Sequence, residues 1–88
     1  MASGTIKKSY IQAVLLTPSA ITAGNSVTFT DSNYKNKPIV GYQLYGVGSA
    51  SVAVTQLLCG NDGIIMVIKN NGSTDVTPTA IRVDILEI

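Results

Sequence analysis

Few side chains in this sequence could carry out catalysis, and the residue types present exclude several kinds of active site and metal site. The 88 residues include no histidine, which leaves no imidazole base for a serine or cysteine nucleophile and no histidine metal ligand. The one cysteine, Cys59, can form neither an internal disulfide nor a zinc cluster. Its near neighbour in sequence is the acidic Asp62, whereas a reactive thiolate needs positive surroundings. We therefore predict an inert thiol and no enzyme activity.

The carboxylates suggest two other kinds of chemistry, a cation site and glycoside hydrolysis. The five acidic residues are Asp31, Asp62, Asp75, Asp84 and Glu87. Asp62 and Asp75 stand in asparagine-rich loops whose oxygens suit Ca²⁺, but their spacing matches no calcium loop, and turn formation is favoured. A glycosidase needs two carboxylates about 5–10 Å apart. Asp84 and Glu87 are three residues apart on one predicted strand, hence on opposite faces. We predict no metal and no cofactor.

A polar loop at 32–38 offers a second kind of function, recognition of a sugar. Tyr34 lies there between the amides of Asn33 and Asn36. Its ring could stack on a sugar ring while the amides bond the hydroxyl groups. The alternative, which we favour, is that the aromatic ring pins its own loop to the domain.

Short β-branched runs separated by turn residues must position all of these groups. We predict six strands, at 9–16, 25–31, 39–47, 52–58, 63–69 and 80–88, and no helix. Glycine and asparagine at 59–63 are the strongest turn signal and predict a tight connection between antiparallel strands. The apolar alternation of the last strand slips after Ile85, which suggests a β-bulge or an edge position. The spacing predicts one domain, an antiparallel β-sandwich or small jelly-roll-like body.

The apolar content exceeds what so small a sandwich should need. Hydrophobic residues make up 45% of the chain and charged residues 12%, against about 25% charged in typical proteins. Segments 13–16 and 64–68 are apolar on both strand faces. Loops of the same chain could cover the second face, but we favour packing against identical copies, since the chain is short. The residues predicted to contact a neighbouring copy are Val14, Leu16, Ile65, Val67 and Tyr42.

Charge and hydropathy exclude several partners. Six basic and five acidic side chains give a net charge of +1, which is too small an excess of positive charge to predict nucleic-acid binding. The longest apolar run, 64–68, is far shorter than the ~18 residues of a membrane span, so we expect no membrane insertion. Residues 1–8 form a short basic arm containing Lys7 and Lys8. The apolar stretch behind this arm is broken by Gln12, which favours a first strand over a signal peptide.

Several segments together resemble small all-β surface proteins of tailed bacteriophages and prophages. The segments are the arm at 4–8, the serine- and threonine-rich strand at 26–30, the Pro-Ile-Val-Gly-Tyr run at 38–42 and the strand–turn–strand ending at 64–88. The likeness is to capsid decoration, head-fibre and tail-fibre tip proteins. It implies a non-enzymatic homotrimer in the virion, made in the bacterial cytoplasm. We expect the first dozen residues to attach it to a capsid or fibre scaffold. We also expect the loops at 32–37 and 70–77 to face solvent. The alternative function is a carbohydrate-binding or receptor-binding module that recognises a host surface glycan through Tyr34 and the asparagine loops.

Overall fold

The computed structural model describes residues 9–48 and 50–87. Within these ranges the chain is all β and contains no helix. The strands are β1 (Tyr10–Leu16), β2 (Ser26–Asp31), β3 (Ile39–Tyr45), β4 (Val52–Gly60), β5 (Gly63–Asn70) and β6 (Ala80–Glu87). The six strands predicted from the apolar pattern are confirmed, with bounds that agree to within about two residues. The predicted basic arm at 1–8, Ser49 and Ile88 lie outside the described ranges.

The strands form two three-stranded sheets with every pairing antiparallel. One sheet has the order β1-β6-β3 and the other the order β2-β5-β4. Consecutive strands mostly belong to different sheets, and only β4 and β5 are neighbours both in sequence and in a sheet. The central strands, β5 and β6, therefore carry most of the core.

Strict alternation in the two central strands builds that core. Every second residue of β5 is fully buried, from Ile64 through Met66 to Ile68. In β6 the buried positions are Ile81, Val83 and Ile85. Because successive side chains of a strand point to opposite faces, these two rows meet between the sheets. Burying one such side chain contributes about 1.5–3 kcal/mol, so the two rows supply much of the hydrophobic stabilisation.

The tight connection predicted at 59–63 is the β4–β5 hairpin. Gly60 pairs with Gly63, and only Asn61 and Asp62 lie between them. Gly63 has a φ of 102°, a left-handed conformation that a side chain disfavours. The glycine therefore lets β5 start directly after the turn.

The β-bulge expected in the last strand, β6, lies in the neighbouring strand β3 instead. β6 occupies the centre of its sheet, so the edge-position explanation for its phase slip is wrong. The register shift is in β3, between Ile39 and Gly41, opposite the point where β6 passes from Ile85 to Asp84. A second shift lies in β4, between Val54 and Gln56. Both bulges fall on edge strands, where they are most often found.

Candidate interaction surfaces

The outer face of the β2-β5-β4 sheet carries the second apolar row of β5. Ile65 and Val67 point away from the core and are half-buried. Thr30 and Leu58 stand opposite Ile65 in the neighbouring strands, and Leu58 is 37% exposed. Neighbouring side chains thus cover these two residues only partly. This small apolar patch is flanked by threonine hydroxyl groups, and the contact of Ile65 and Val67 with a neighbouring copy stays a prediction.

Strand β1 presents a different apolar surface from the one expected. Val14 pairs with Val83 and Leu16 with Ile81, and both Val14 and Leu16 are buried in the core of their own chain. Neither side chain is therefore accessible to a second copy. The prediction that Val14 and Leu16 contact a neighbouring copy is therefore wrong. The large apolar side chains that this strand exposes are Tyr10 and Ile11, each at 56%, and Leu15, at 66%. Sequence alone could not choose between the two faces, since both are apolar.

The two tyrosines of β3 lie on opposite faces of the strand, because they are three residues apart. Tyr42 pairs with Val83 and is half exposed at the sheet edge, so its side chain is available to a partner. Tyr45 pairs with Ala80 on the outer face and is half-buried beside Arg82. Neither tyrosine belongs to the buried core.

The loop at 32–38 is held down at several points. Tyr34 is half-buried and packs against the core. The backbone N–H of Asn33 donates to the Asp31 carboxylate at 2.8 Å. The Asn36 side chain donates to Asn61 Oδ1 at 2.9 Å, and its backbone N–H bonds the carbonyl of Gly60. These contacts place Tyr34 as the anchor of its own loop, and the Asn36 amide is already engaged by the β4–β5 turn.

The single thiol is enclosed by the same loop. Cys59 is half-buried and packs against the core. Its Sγ lies 3.4 Å from the backbone N of Lys37 and 3.5 Å from the carbonyl oxygen of Tyr34. Both are weak contacts to backbone groups, which fits a thiol that serves in packing.

The loop at 70–77 is largely exposed, but its first residue is not. Asn70 is fully buried and donates from its side chain to the carbonyls of Ile21 and Thr74, at 3.0 and 2.8 Å. Its Oδ1 accepts from the N–H of Gly72 at 2.9 Å. We had expected this residue to face solvent, and that expectation is wrong. The alternation of β5, continued one step beyond Ile68, was the available signal.

Two ion pairs lie on the β1-β6-β3 sheet and its neighbouring loop. Arg82 Nε is 2.7 Å from Asp84 Oδ1 on the outer face, and the hydrogen bond to Asp84 raises the pKa of Arg82. Lys37 Nζ is 2.9 Å from Glu87 Oε1 and ties the loop at 32–38 to the end of β6. Exposed pairs of this kind stabilise a fold only slightly.

The Lys37–Glu87 pair gives a pH prediction. The hydrogen bond and the negative charge of Glu87 raise the pKa of Lys37 above its ordinary value of 10.5. The pair's contribution is therefore complete below about 10.5 and declines as the pH rises through the higher pKa of the folded state. In Glu87→Gln we expect the Lys37 pKa to fall back toward its ordinary value, measured by NMR titration of the side-chain Cε. An unchanged titration would show that Glu87 does not hold the ammonium group, and Lys69 serves as the internal control.

Other kinds of site are not evident among residues 9–48 and 50–87. These ranges contain no group of three or more acidic or cysteine side chains placed to hold a metal ion, and no pocket. In the same part of the chain, no helix could cross a membrane. Comparisons with protein-family models, curated proteins and solved structures find no match. Exposed apolar side chains on the sheets are thus the main surface feature from which a function can be argued.

Proposed function

We propose that this chain is a non-enzymatic structural component of the surface of a phage particle, a capsid decoration or fibre protein. It acts by assembling with identical copies and attaching to a virion scaffold. The assembly expected from the sequence resemblance is a homotrimer. The observation that carries the assembly part is the set of large apolar side chains left exposed by the sandwich: Tyr10, Ile11, Leu15, Val40, Tyr42 and Leu58.

The low charge of the chain supports the same proposal. Single exposed apolar residues are ordinary on a monomer. Here they occur on a chain with only 12% charged residues, about half the usual share. The patch formed by Ile65, Val67 and Leu58 lies on an open sheet face whose neighbours are mainly threonine and glutamine. Burial of this patch against another copy removes apolar surface from water at about 25 cal/mol per Å².

Lysine substitution in the centre of this patch tests the assembly. Because a buried ammonium group has no partner in an apolar contact, we expect Ile65→Lys and Val67→Lys to yield monomer or insoluble protein. The measurement is the molar mass from light scattering coupled to gel filtration, with circular dichroism to report folding. Ser73→Lys, which adds the same charge to an exposed loop, is the matched control and should keep the wild-type mass. A well-folded oligomer of unchanged mass in both patch variants would remove Ile65 and Val67 from the interface.

The virion assignment needs a separate test, because self-assembly alone is common to many structural proteins. What supports it is the resemblance described above. Sequencing of the flanking genes is expected to reveal portal, capsid or tail genes. A neighbourhood made up of metabolic genes would contradict the assignment while leaving the assembly intact.

A further inference from the structure

We propose that β1 is a docking edge for a second copy of this chain, with the two β1 strands pairing antiparallel about a twofold axis at Ala13. The contact joins two β1-β6-β3 sheets into one six-stranded sheet. This inference rests on the proposed self-assembly and specifies its surface and symmetry. A twofold contact at β1 joins two copies, whereas an association through the outer face of β5 in a trimer would join three.

Comparison of the four edge strands singles out β1. Both β3 and β4 carry a bulge, a device that disrupts pairing with a further strand. Strand β2 is regular, but its outward side chains are Ser26, Thr28 and Thr30, and it ends at Asp31. Strand β1 is regular throughout its seven residues and contains no charged side chain. A long, unbulged and apolar edge is the kind that pairs with another strand.

The sequence of β1 is self-complementary in the proposed register. Ala13 is the middle residue of the strand, so a twofold axis there pairs all seven residues with the second copy. Ile11 then faces Leu15 of the second copy, and Leu15 faces the second Ile11. These are the two most exposed aliphatic side chains of the strand, both more than half exposed. The small Ala13 side chain at the axis lets the strands approach, and the absence of charge places no like charges opposite each other.

The backbone at the centre of β1 supports the same arrangement. In an antiparallel edge strand, alternate residues direct N–H and C=O away from the sheet. The side-chain amide of Gln12 donates to the carbonyl of Ala13 at 3.0 Å, on an exposed part of the strand. We assign this carbonyl to the open edge, together with the backbone groups of Ile11 and Leu15. Ala13 would then exchange both of its hydrogen bonds with its counterpart, in place of the local bond to Gln12.

Paired charge variants test this register directly. In Ile11→Lys/Leu15→Lys, each new ammonium group faces another across the axis. In Ile11→Glu/Leu15→Lys, each new carboxylate faces a new ammonium group. Both variants lose the same apolar contact, and both positions are exposed in the single chain. We expect the mixed-charge variant to dimerise about tenfold more tightly than the double-lysine variant, measured by sedimentation equilibrium.

A charge-mixing experiment controls for the difference in net charge between these variants. Double-lysine and double-glutamate chains, each weakly associating alone, should form a mixed dimer when combined at low salt. Ser73→Lys, which adds the same charge to the exposed loop after β5, should leave the dimer unchanged. Equal dissociation constants for the mixed-charge and double-lysine variants, or no mixed dimer, would overturn the twofold contact.

The mass of the wild-type chain separates this inference from the proposed function. A mass of two chains, or of an even number of chains, that falls in the double-lysine variant supports the twofold contact and self-assembly. A mass of two chains would at the same time contradict the homotrimer. A mass of three chains that is unaffected by substitution at positions 11 and 15 overturns the twofold contact and leaves the proposed assembly standing. A single chain at concentrations up to about 1 mM overturns the contact and the assembly together.

Discussion

Replacing Gly63 by alanine is expected to destabilise the domain by about 2–5 kcal/mol. An alanine Cβ at this position would clash with the backbone oxygen of Asp31 and would lie 2.8 Å from the Cα of Ser32. Both are backbone atoms, so the clash can be relieved only if the end of β2 or the β4–β5 turn moves. The φ of 102° adds strain, since a left-handed conformation costs an L-residue about 1–2 kcal/mol. Forced overpacking typically adds about 1–3 kcal/mol.

Gly24 provides the matched control for the clash. It also has a positive φ, 78°, but an added Cβ there would meet nothing within 4 Å. Gly24→Ala should therefore show the backbone strain alone, about 1 kcal/mol. Urea unfolding followed by circular dichroism measures both variants. If both variants lose a similar free energy of unfolding, the clash between the β4–β5 turn and the end of β2 does not contribute to the loss in Gly63→Ala.

Replacing Asn70 by alanine is the second change with a large expected effect, about 3 kcal/mol. Its side chain is fully buried and makes three hydrogen bonds, to Ile21, Gly72 and Thr74. Each bond is worth about 1 kcal/mol, and a buried polar group left without a partner loses more. The backbone of Asn70 is engaged as well, donating to the carbonyl of Asn25 and accepting from the N–H of Gly24. One residue thus joins the turn before β2 to the loop after β5.

Asn70→Asp provides a sharper version of the same test. At neutral pH a carboxylate at this position would face the two carbonyl oxygens that the amide now donates to, so we expect a greater loss than in Asn70→Ala. Protonation restores one donor, and the deficit should therefore shrink as the pH falls toward about 4. Asn71→Ala, at the neighbouring exposed position, is the control and should change the free energy of unfolding by less than about 0.5 kcal/mol. Equal losses at positions 70 and 71 would contradict the role of the buried amide.

The strands could be predicted because the sequence patterns that indicate a strand involve only residues close together in the chain. Alternation in β5 and β6, and the turn residues between β4 and β5, each depend on a few neighbouring positions. Strand order was not predictable, since β1 pairs with β6 across most of the chain. The faces of β1 were misassigned for a related reason. Val14 and Leu15 are both aliphatic, and only the pairing of Val14 with Val83 determines which of them is buried.

Asn70 shows a different limit of sequence reasoning. Asparagine after a strand is ordinarily a solvent-exposed turn residue. Its burial depends on carbonyl groups contributed by Ile21 and Thr74, which no local pattern reveals. The exposed apolar residues Ile11 and Leu15 were visible in the sequence, but their importance appears only once Val14 and Leu16 are placed in the core.

The strand order has a consequence for synthesis on the ribosome. The β2-β5-β4 sheet can close as soon as β5 has emerged, because all three of its strands precede that point. In the other sheet, β1 and β3 have no partner until β6, the last strand, is available between them. Strand β1 of the nascent polypeptide therefore stays unpaired until β6 has been synthesised, and this slow, non-local closure leaves its apolar edge open to aggregation in the meantime.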